Sequence, residues 1–196
     1  MIPPVLHVVW LGDEADIPRM CLDSWRRADP ELEIRLWGSD ETSSVSWSNH
    51  DHMTDVISDE GIPLQDRLAA VSDLMRYEIL REHGGISVPI FSVAYRPFPR
   101  WLLEVPAFAT WADELDETGV ISGRLMGATP GSEFFERLVE DIHAGGPLTQ
   151  APLRQTTGEY RLTSTWKNAR SPLVVYPSHF FPDGRTDAPS PVFENI

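Results

Sequence analysis

Residues 65–93 constrain this chain more than any other stretch. From Gln65 to His83 there is no glycine or proline, and good helix formers run throughout, so the stretch predicts one long helix. Gly84-Gly85 supplies its stop. The β-branched run that follows, Ile86 to Val93, predicts a buried strand, with Pro89 marking a bulge or an edge. A long helix, a glycine turn and a buried strand together specify a layered α/β domain.

Charge placement on the helix carries the functional signal. At roughly 100° per residue, Arg67, Glu78, Arg81 and Glu82 share one arc, the expected solvated face. Arg76 projects from nearly the opposite side, with Ser72 and Asp73 beside it. A guanidinium and a carboxylate on the inward side are costly unless they pair or bind something polar. From the residues alone two readings stand: a buried Asp73–Arg76 pair at i,i+3, and a polar ligand site at a helix edge.

The rest of the chain reads as alternating strands and helices. Pro3 to Gly12 is almost wholly apolar, the pattern of an interior parallel strand buried on both faces. Asp16-Ile17-Pro18 opens a helix with Cys21, Leu22 and Trp25 inward and Asp29-Pro30 at its end. Glu33 to Trp37 alternates polar and apolar, as a half-buried strand does. Residues 38–63 read as loop with one short helix, and His50-Asp51-His52 within them reads as solvated rather than metal-binding. Val105 to Thr110, Val120 to Thr129 and Leu173 to Pro177 predict further strands. A helix from Glu133 to His143, with Ser132 as its N-cap, puts Phe134, Phe135, Leu138, Val139 and Ile142 on the core side.

Composition excludes several classes. A chain of 196 residues reads as a single domain, 1–196, with an ordinary apolar content and a short C-terminal tail. A net charge of −14 argues against a broad phosphate-contacting surface and disfavours nucleic acid as a partner, while leaving room for a small basic pocket. Of the 16 basic residues only Lys167 is a lysine, and arginine is the better bidentate phosphate binder. One cysteine, Cys21, allows no internal disulfide and fits a reducing, cytoplasmic compartment. Met1-Ile2-Pro3-Pro4 lacks the basic start and apolar run of a secretory leader, and no stretch approaches the ~20 apolar residues of a membrane span.

Ala70-Val71-Ser72-Asp73-Leu74-Met75-Arg76-Tyr77-Glu78-Ile79-Leu80, with His83-Gly84-Gly85-Ile86, resembles the A-x-x-S-D-L-x-R-Y-x-x-L-x-x-x-G-G-I block of glycosyltransferase family 32. That family includes initiating mannosyltransferases and capsule-type transferases, with the clostridial glucosylating toxins as distant relatives. The opening Pro3 to Gly12 is similar to its I-P-x-x-I-H-x-x-W-x-G. Ser24-Trp25 through Leu36-Trp37 is similar to its S-W-x-x-x-x-P-x-x-x-x-x-L-W. Met126 to Gly131, Gly145 to Thr149 and Phe180-Phe181-Pro182 resemble later segments in the family's order.

The resemblance implies a GT-A-like fold: a mixed, mostly parallel sheet flanked by helices on both faces, with ligand at the carboxyl ends of the strands. It implies transfer of a sugar, with retention, from a UDP- or GDP-sugar to a glycan or other small acceptor. Asp73 and Arg76 would act on the donor. Val8, Trp10, Gly12, Ser72, Gly85, Gly146, Pro147 and Thr149 would complete the donor site.

One departure is large. The family's strand after Gly-Gly-Ile carries Asp-x-Asp, which binds a divalent cation and the donor diphosphate. Arg96-Pro97-Phe98 matches the step after it, and counting back places Pro89, Ile90 and Phe91 where the carboxylates belong. A hard cation needs oxygen ligands, so no metal cofactor is expected. The leaving diphosphate would then be neutralised by arginine, Arg76 first, with Arg96, Lys167, Arg170 and Arg185 as weaker candidates. The same departure suits a catalytically silent relative that binds a sugar or nucleotide. A transferase acting on DNA bases fits less well with the acidity.

Overall fold

A computed structural model describes residues 1–115, 117–169 and 171–180. In chain order the elements are β1 (Val5–Val9), α1 (Arg19–Ala28), β2 (Glu33–Trp37), α2 (Ser39–Ser43), α3 (His50–Ser58), α4 (Leu64–His83) and β3 (Gly85–Ser87). Then follow β4 (Ala107–Asp113), β5 (Glu117–Ala128), α5 (Glu133–His143), α6 (Leu153–Thr156), α7 (Glu159–Asn168) and β6 (Val174–Tyr176). The six strands form one sheet in the order β2-β1-β3-β5-β4-β6. The pairings β1–β2, β1–β3 and β4–β6 are parallel, while β5 runs antiparallel to both β3 and β4. The sheet is therefore mixed, with helices on both faces.

The apolar run of β1 occupies an interior position, and its residues feed two cores. Leu6 and Val8 pack with Leu22 and Trp25 of α1 and with Leu102 on one face. Val9 packs on the other face with Leu74 of α4 and with the helices around it. On α5 the five predicted apolar residues all reach this second core. Each such side chain stabilises the fold by roughly 1.5–3 kcal/mol relative to exposure. No helix among the described residues is long and apolar enough to cross a membrane.

Three expectations need correction. Glu78 does not lie on a solvated face: it is 3% exposed, and its carboxylate accepts from the Ser48 and Asn49 N–H groups at 2.6 and 2.9 Å. It thereby caps the start of α3 from thirty residues away. Residues 38–63 hold two helices, α2 and α3, rather than one. The apolar signal there is thin, since α3 buries only Met53 and Val56. His50 and Asp51 do lie exposed on that helix. Finally, β3 is three residues long and does not reach Val93. Proline cannot extend the ladder, and residues 89–92 turn instead, with the Ser92 N–H donating to Pro89 O at 3.0 Å. The C-terminal tail, Phe181-Pro182, Arg170 and Arg185 lie outside the described residues.

Gly84 and Gly85 let α4 stop against the sheet. Both have positive φ, 65° and 86°. A Cβ on Gly85 would stand 2.6 Å from Val5 O and 2.8 Å from His7 Nε2. His7 itself is fully buried in β1, and its Nδ1 accepts from Trp37 Nε1–H at 3.0 Å. Burial, with His83 and Arg35 nearby, lowers its pKa to about 4, so the imidazole is neutral across the physiological range.

Gly85→Ala is expected to destabilise the protein by more than about 2 kcal/mol, because it adds a clash to backbone strain. Gly131→Ala, at φ 69° with nothing within 4 Å of the new methyl, should cost only about 1 kcal/mol. Urea unfolding of the two variants measures the difference.

Candidate active site

The long helix, the turn after β3, the middle of β5 and the segment from Thr149 to Glu159 enclose a cavity of about 1150 Å³. It opens beyond the carboxyl ends of β1 and β3, where Val9 and Pro89 reach its wall. Ser72, Asp73 and Arg76 line it from α4.

Arg76 holds the site together. Its side chain is 6% exposed. Nε–H donates to Ser87 Oγ at 2.8 Å, Nη2 donates to Gly123 O and, at 3.5 Å, to Ser87 O, and Nη1 donates to Asp73 Oδ1 at 3.3 Å. One guanidinium thus ties α4 to β3 and β5. Burial pulls its pKa down, and the Asp73 carboxylate opposes that. The i,i+3 pair that the sequence allowed is formed, and it borders a cavity.

Asp73 is the open member of the pair. Its side chain is 26% exposed, and among the described residues Oδ2 has no hydrogen-bond partner. Burial raises its pKa to about 6, with Arg76 pulling down and Glu159 across the cavity pushing up. Such a carboxylate can take charge-assisted bonds from ligand hydroxyls.

The wall at residues 89–91 is apolar and firmly held. Ser92 Oγ donates to Pro89 O at 2.6 Å, and Trp25 Nε1–H of α1 donates to Ser92 O at 3.2 Å. The Ala94 N–H donates to Ser24 Oγ at 3.0 Å. Pro89, Ile90 and Phe91 all line the cavity, and none offers a side-chain oxygen. Among the described residues no cluster of three His, Cys, Asp or Glu could hold an ion. Pro89, Ile90 and Phe91 therefore cannot supply the oxygen ligands that Asp-x-Asp gives a divalent cation in the resembling family.

Of the residues singled out in the sequence, the structure brings Ser72, Asp73, Arg76 and Thr149 to one cavity. Val8 is buried on the opposite face of the sheet, and its neighbour Val9 lines the cavity instead. Trp10 stands one residue behind the wall, edge-on to Phe91 with ring centroids 6.1 Å apart, its Nε1–H donating to Asp13 O. Gly12 makes room for that indole: a Cβ there would sit 2.7 Å from Trp10 Cζ2. Gly85 is sealed beneath β1. Gly146 and Pro147 are exposed ahead of Thr149 and outside the wall, as are Arg96 and Lys167.

Sequence reasoning passed over Asp66, Arg124, Arg154 and Glu159, which also line the cavity. Asp66 was visible in principle, two turns ahead of Asp73 on the same helix. Arg154 and Glu159 lie in a segment without strong periodicity. Their position is fixed from a distance, where Tyr77 OH donates to Thr157 O at 2.8 Å.

No protein-family model matches the chain, and no curated protein matches it. The fold is similar to a solved structure described as "PaToxG Glycosyltransferase", with a TM-score of 0.60 and 12% identity over 85% of this chain and 68% of that one. The ligand-free glycosyltransferase domain of the YGT toxin aligns with a TM-score of 0.47 and 11% identity, over 72% of this chain and 62% of that domain's. The first likeness is one of fold, a mixed sheet flanked by helices that this chain shares with that structure.

The raised pKa of Asp73 has a consequence for stability. Folded Asp73 binds its proton more tightly than an unfolded aspartate of pKa near 3.9, so its burial costs most when ionised, above about pH 6, and the cost fades as pH falls toward 4. Asp73→Asn should therefore stabilise the protein at pH 8 by about 1–3 kcal/mol, a gain that vanishes near pH 4. His7 gives the opposite slope, losing stability as pH falls from 6.5 toward 4, but it does so in both proteins and cancels in the difference. Denaturant unfolding at pH 8, 6 and 4.5 measures it. A loss of stability at pH 8 would make Asp73 the indispensable counter-charge of Arg76.

Proposed function

We propose that this protein transfers a sugar from a nucleoside-diphosphate sugar, a UDP- or GDP-sugar, to a hydroxyl of a glycan or other small acceptor, without a divalent metal. The observation that carries this reading is Asp73: a half-open carboxylate, braced by Arg76, in a cavity large enough for a nucleotide-sugar at the carboxyl ends of β1 and β3. The glycosyltransferase architecture and the resemblance of residues 70–86 support it.

Asp73 would accept hydrogen bonds from hydroxyls of the donor sugar and fix its orientation. In the reaction the bond from the anomeric carbon to the diphosphate oxygen breaks, and its electron pair leaves with the diphosphate. The acceptor oxygen bonds to the same face of that carbon, and its proton passes to the departing phosphate oxygen.

A second reading has one observation in its favour. Pro89, Ile90 and Phe91 remove the family's cation ligands, as in a relative that binds a sugar or nucleotide without turning it over.

Thermal melting with a panel of nucleotide-sugars tests the binding step. At one hundred times its Kd the true donor should stabilise the protein by about 2.7 kcal/mol, a shift of a few degrees. EDTA and Mn²⁺ should give the same shift. Asp73→Asn should remove it. No shift with any nucleotide-sugar would refute the proposal, and a shift with no release of nucleoside diphosphate would favour the silent relative. Pro89→Asp combined with Phe91→Asp should introduce a Mn²⁺-dependent shift that the parent lacks.

A further inference from the structure

Resting on the sugar-transfer reading, we propose that Arg154, with Arg124 on the wall of the same cavity, holds the diphosphate of the donor, and that Glu159 is the stand-in for that diphosphate while the site is empty.

Charge in the cavity leads to this assignment. Asp66, Asp73 and Glu159 line it and would all repel a diphosphate. Arg76 cannot offset them as a phosphate clamp. Its Nε and Nη2 are committed to Ser87 and Gly123, and breaking those bonds would strand buried oxygens of β3 and β5. Arg76 is a positioning residue. Pro89, Ile90 and Phe91 supply no metal in its place. The other cations on the wall are Arg124 on β5 and Arg154 on α6.

Arg154 is built for an exchange of partners. Its Nε–H and Nη2–H both donate to the same oxygen of Glu159, at 2.9 and 2.5 Å, and its guanidinium carbon stands 5.2 Å over the Tyr160 ring. The guanidinium carbon is thus within cation–π range of an aromatic ring, and a planar fork that now meets one carboxylate oxygen could meet two phosphate oxygens instead. Its side chain is 50% exposed, so the ion pair with Glu159 contributes little and is cheap to break. A diphosphate carries more charge than a carboxylate and offers more oxygens, so it displaces Glu159.

The contribution of the diphosphate is isolated by comparing UDP with uridine, and GDP with guanosine, by calorimetry. The parent should bind the diphosphate far more tightly than the nucleoside. Arg154→Ala should weaken UDP or GDP at least tenfold and leave the nucleoside within twofold, and Arg154→Lys, which keeps charge but loses the fork, should fall between. Glu159→Gln, which releases the fork, should bind the diphosphate as tightly as the parent or more so. Arg154 is half exposed, so its removal should barely move the melting temperature.

If Arg154→Ala keeps the parent's ratio of diphosphate to nucleoside affinity, the assignment is overturned while the sugar-transfer reading stands. Equal weakening of nucleoside and diphosphate also overturns it, since that marks a role in cavity shape. If the parent binds no nucleoside diphosphate or nucleotide-sugar, both fall together.

Discussion

A buried guanidinium is the interaction on which the site depends. Arg76 sits where an apolar residue would ordinarily pack, between α4 and the junction of β3 with β5. Left unsatisfied there it would cost several kcal/mol. Ser87 Oγ, the carbonyls of Ser87 and Gly123, and Asp73 satisfy it. Because those acceptors belong to two strands, α4 is locked in rotation as well as in position. Ser72 and Asp73 then have no choice of direction: helical geometry turns them toward the cavity. The glycines at 84 and 85 complete the constraint by letting the helix end directly over β1.

Much of this architecture is legible in the sequence, for reasons that differ by element. β1 reads from its unbroken apolar run and β2 from strict alternation, because each is a local consequence of which faces are buried. α5 reads from five apolar residues at helical spacing. Asp73 and Arg76 stand out because charge on an inward face contradicts the pattern around it, and such contradictions mark sites. What stays hidden is set by distant partners. Glu78 looks like a solvent residue until Ser48 and Asn49 arrive above it. Arg154 and Glu159 sit in helices with few buried residues, placed by distant partners such as Tyr77 on α4, whose hydroxyl donates to Thr157 O, and Thr163, whose Oγ1 accepts from the Ile121 N–H of β5. The three-residue β3 was overread because proline can end a strand as readily as bulge it.

The cations expected from chain position and those found in the cavity make the same point. Arg96 and Lys167 flank segments that border the site, yet neither lines it: Arg96 lies exposed in the connection between β3 and β4, and Lys167 on the exposed side of α7. Arg124 and Arg154 line it from elements whose own hydrophobic content is modest. Proximity along the chain fixes an element near a cavity. Only the rotation of that element, set by what it buries, decides which side chain enters.

The apolar wall at residues 89–91 and the raised pKa of Asp73 belong to one cavity. An apolar turn on the cavity wall, pinned by Trp25 and Ser24, brings no side-chain hydrogen-bond donor to the cavity. Desolvation then dominates and carries its pKa to about 6 despite the adjacent guanidinium. A cation in that wall would have done the reverse, holding Asp73 ionised at any pH where the protein folds. Asp73 is thus a carboxylate whose charge is set by what stands beside it in the cavity, since burial, the Arg76 guanidinium and Glu159 pull its pKa in opposite directions.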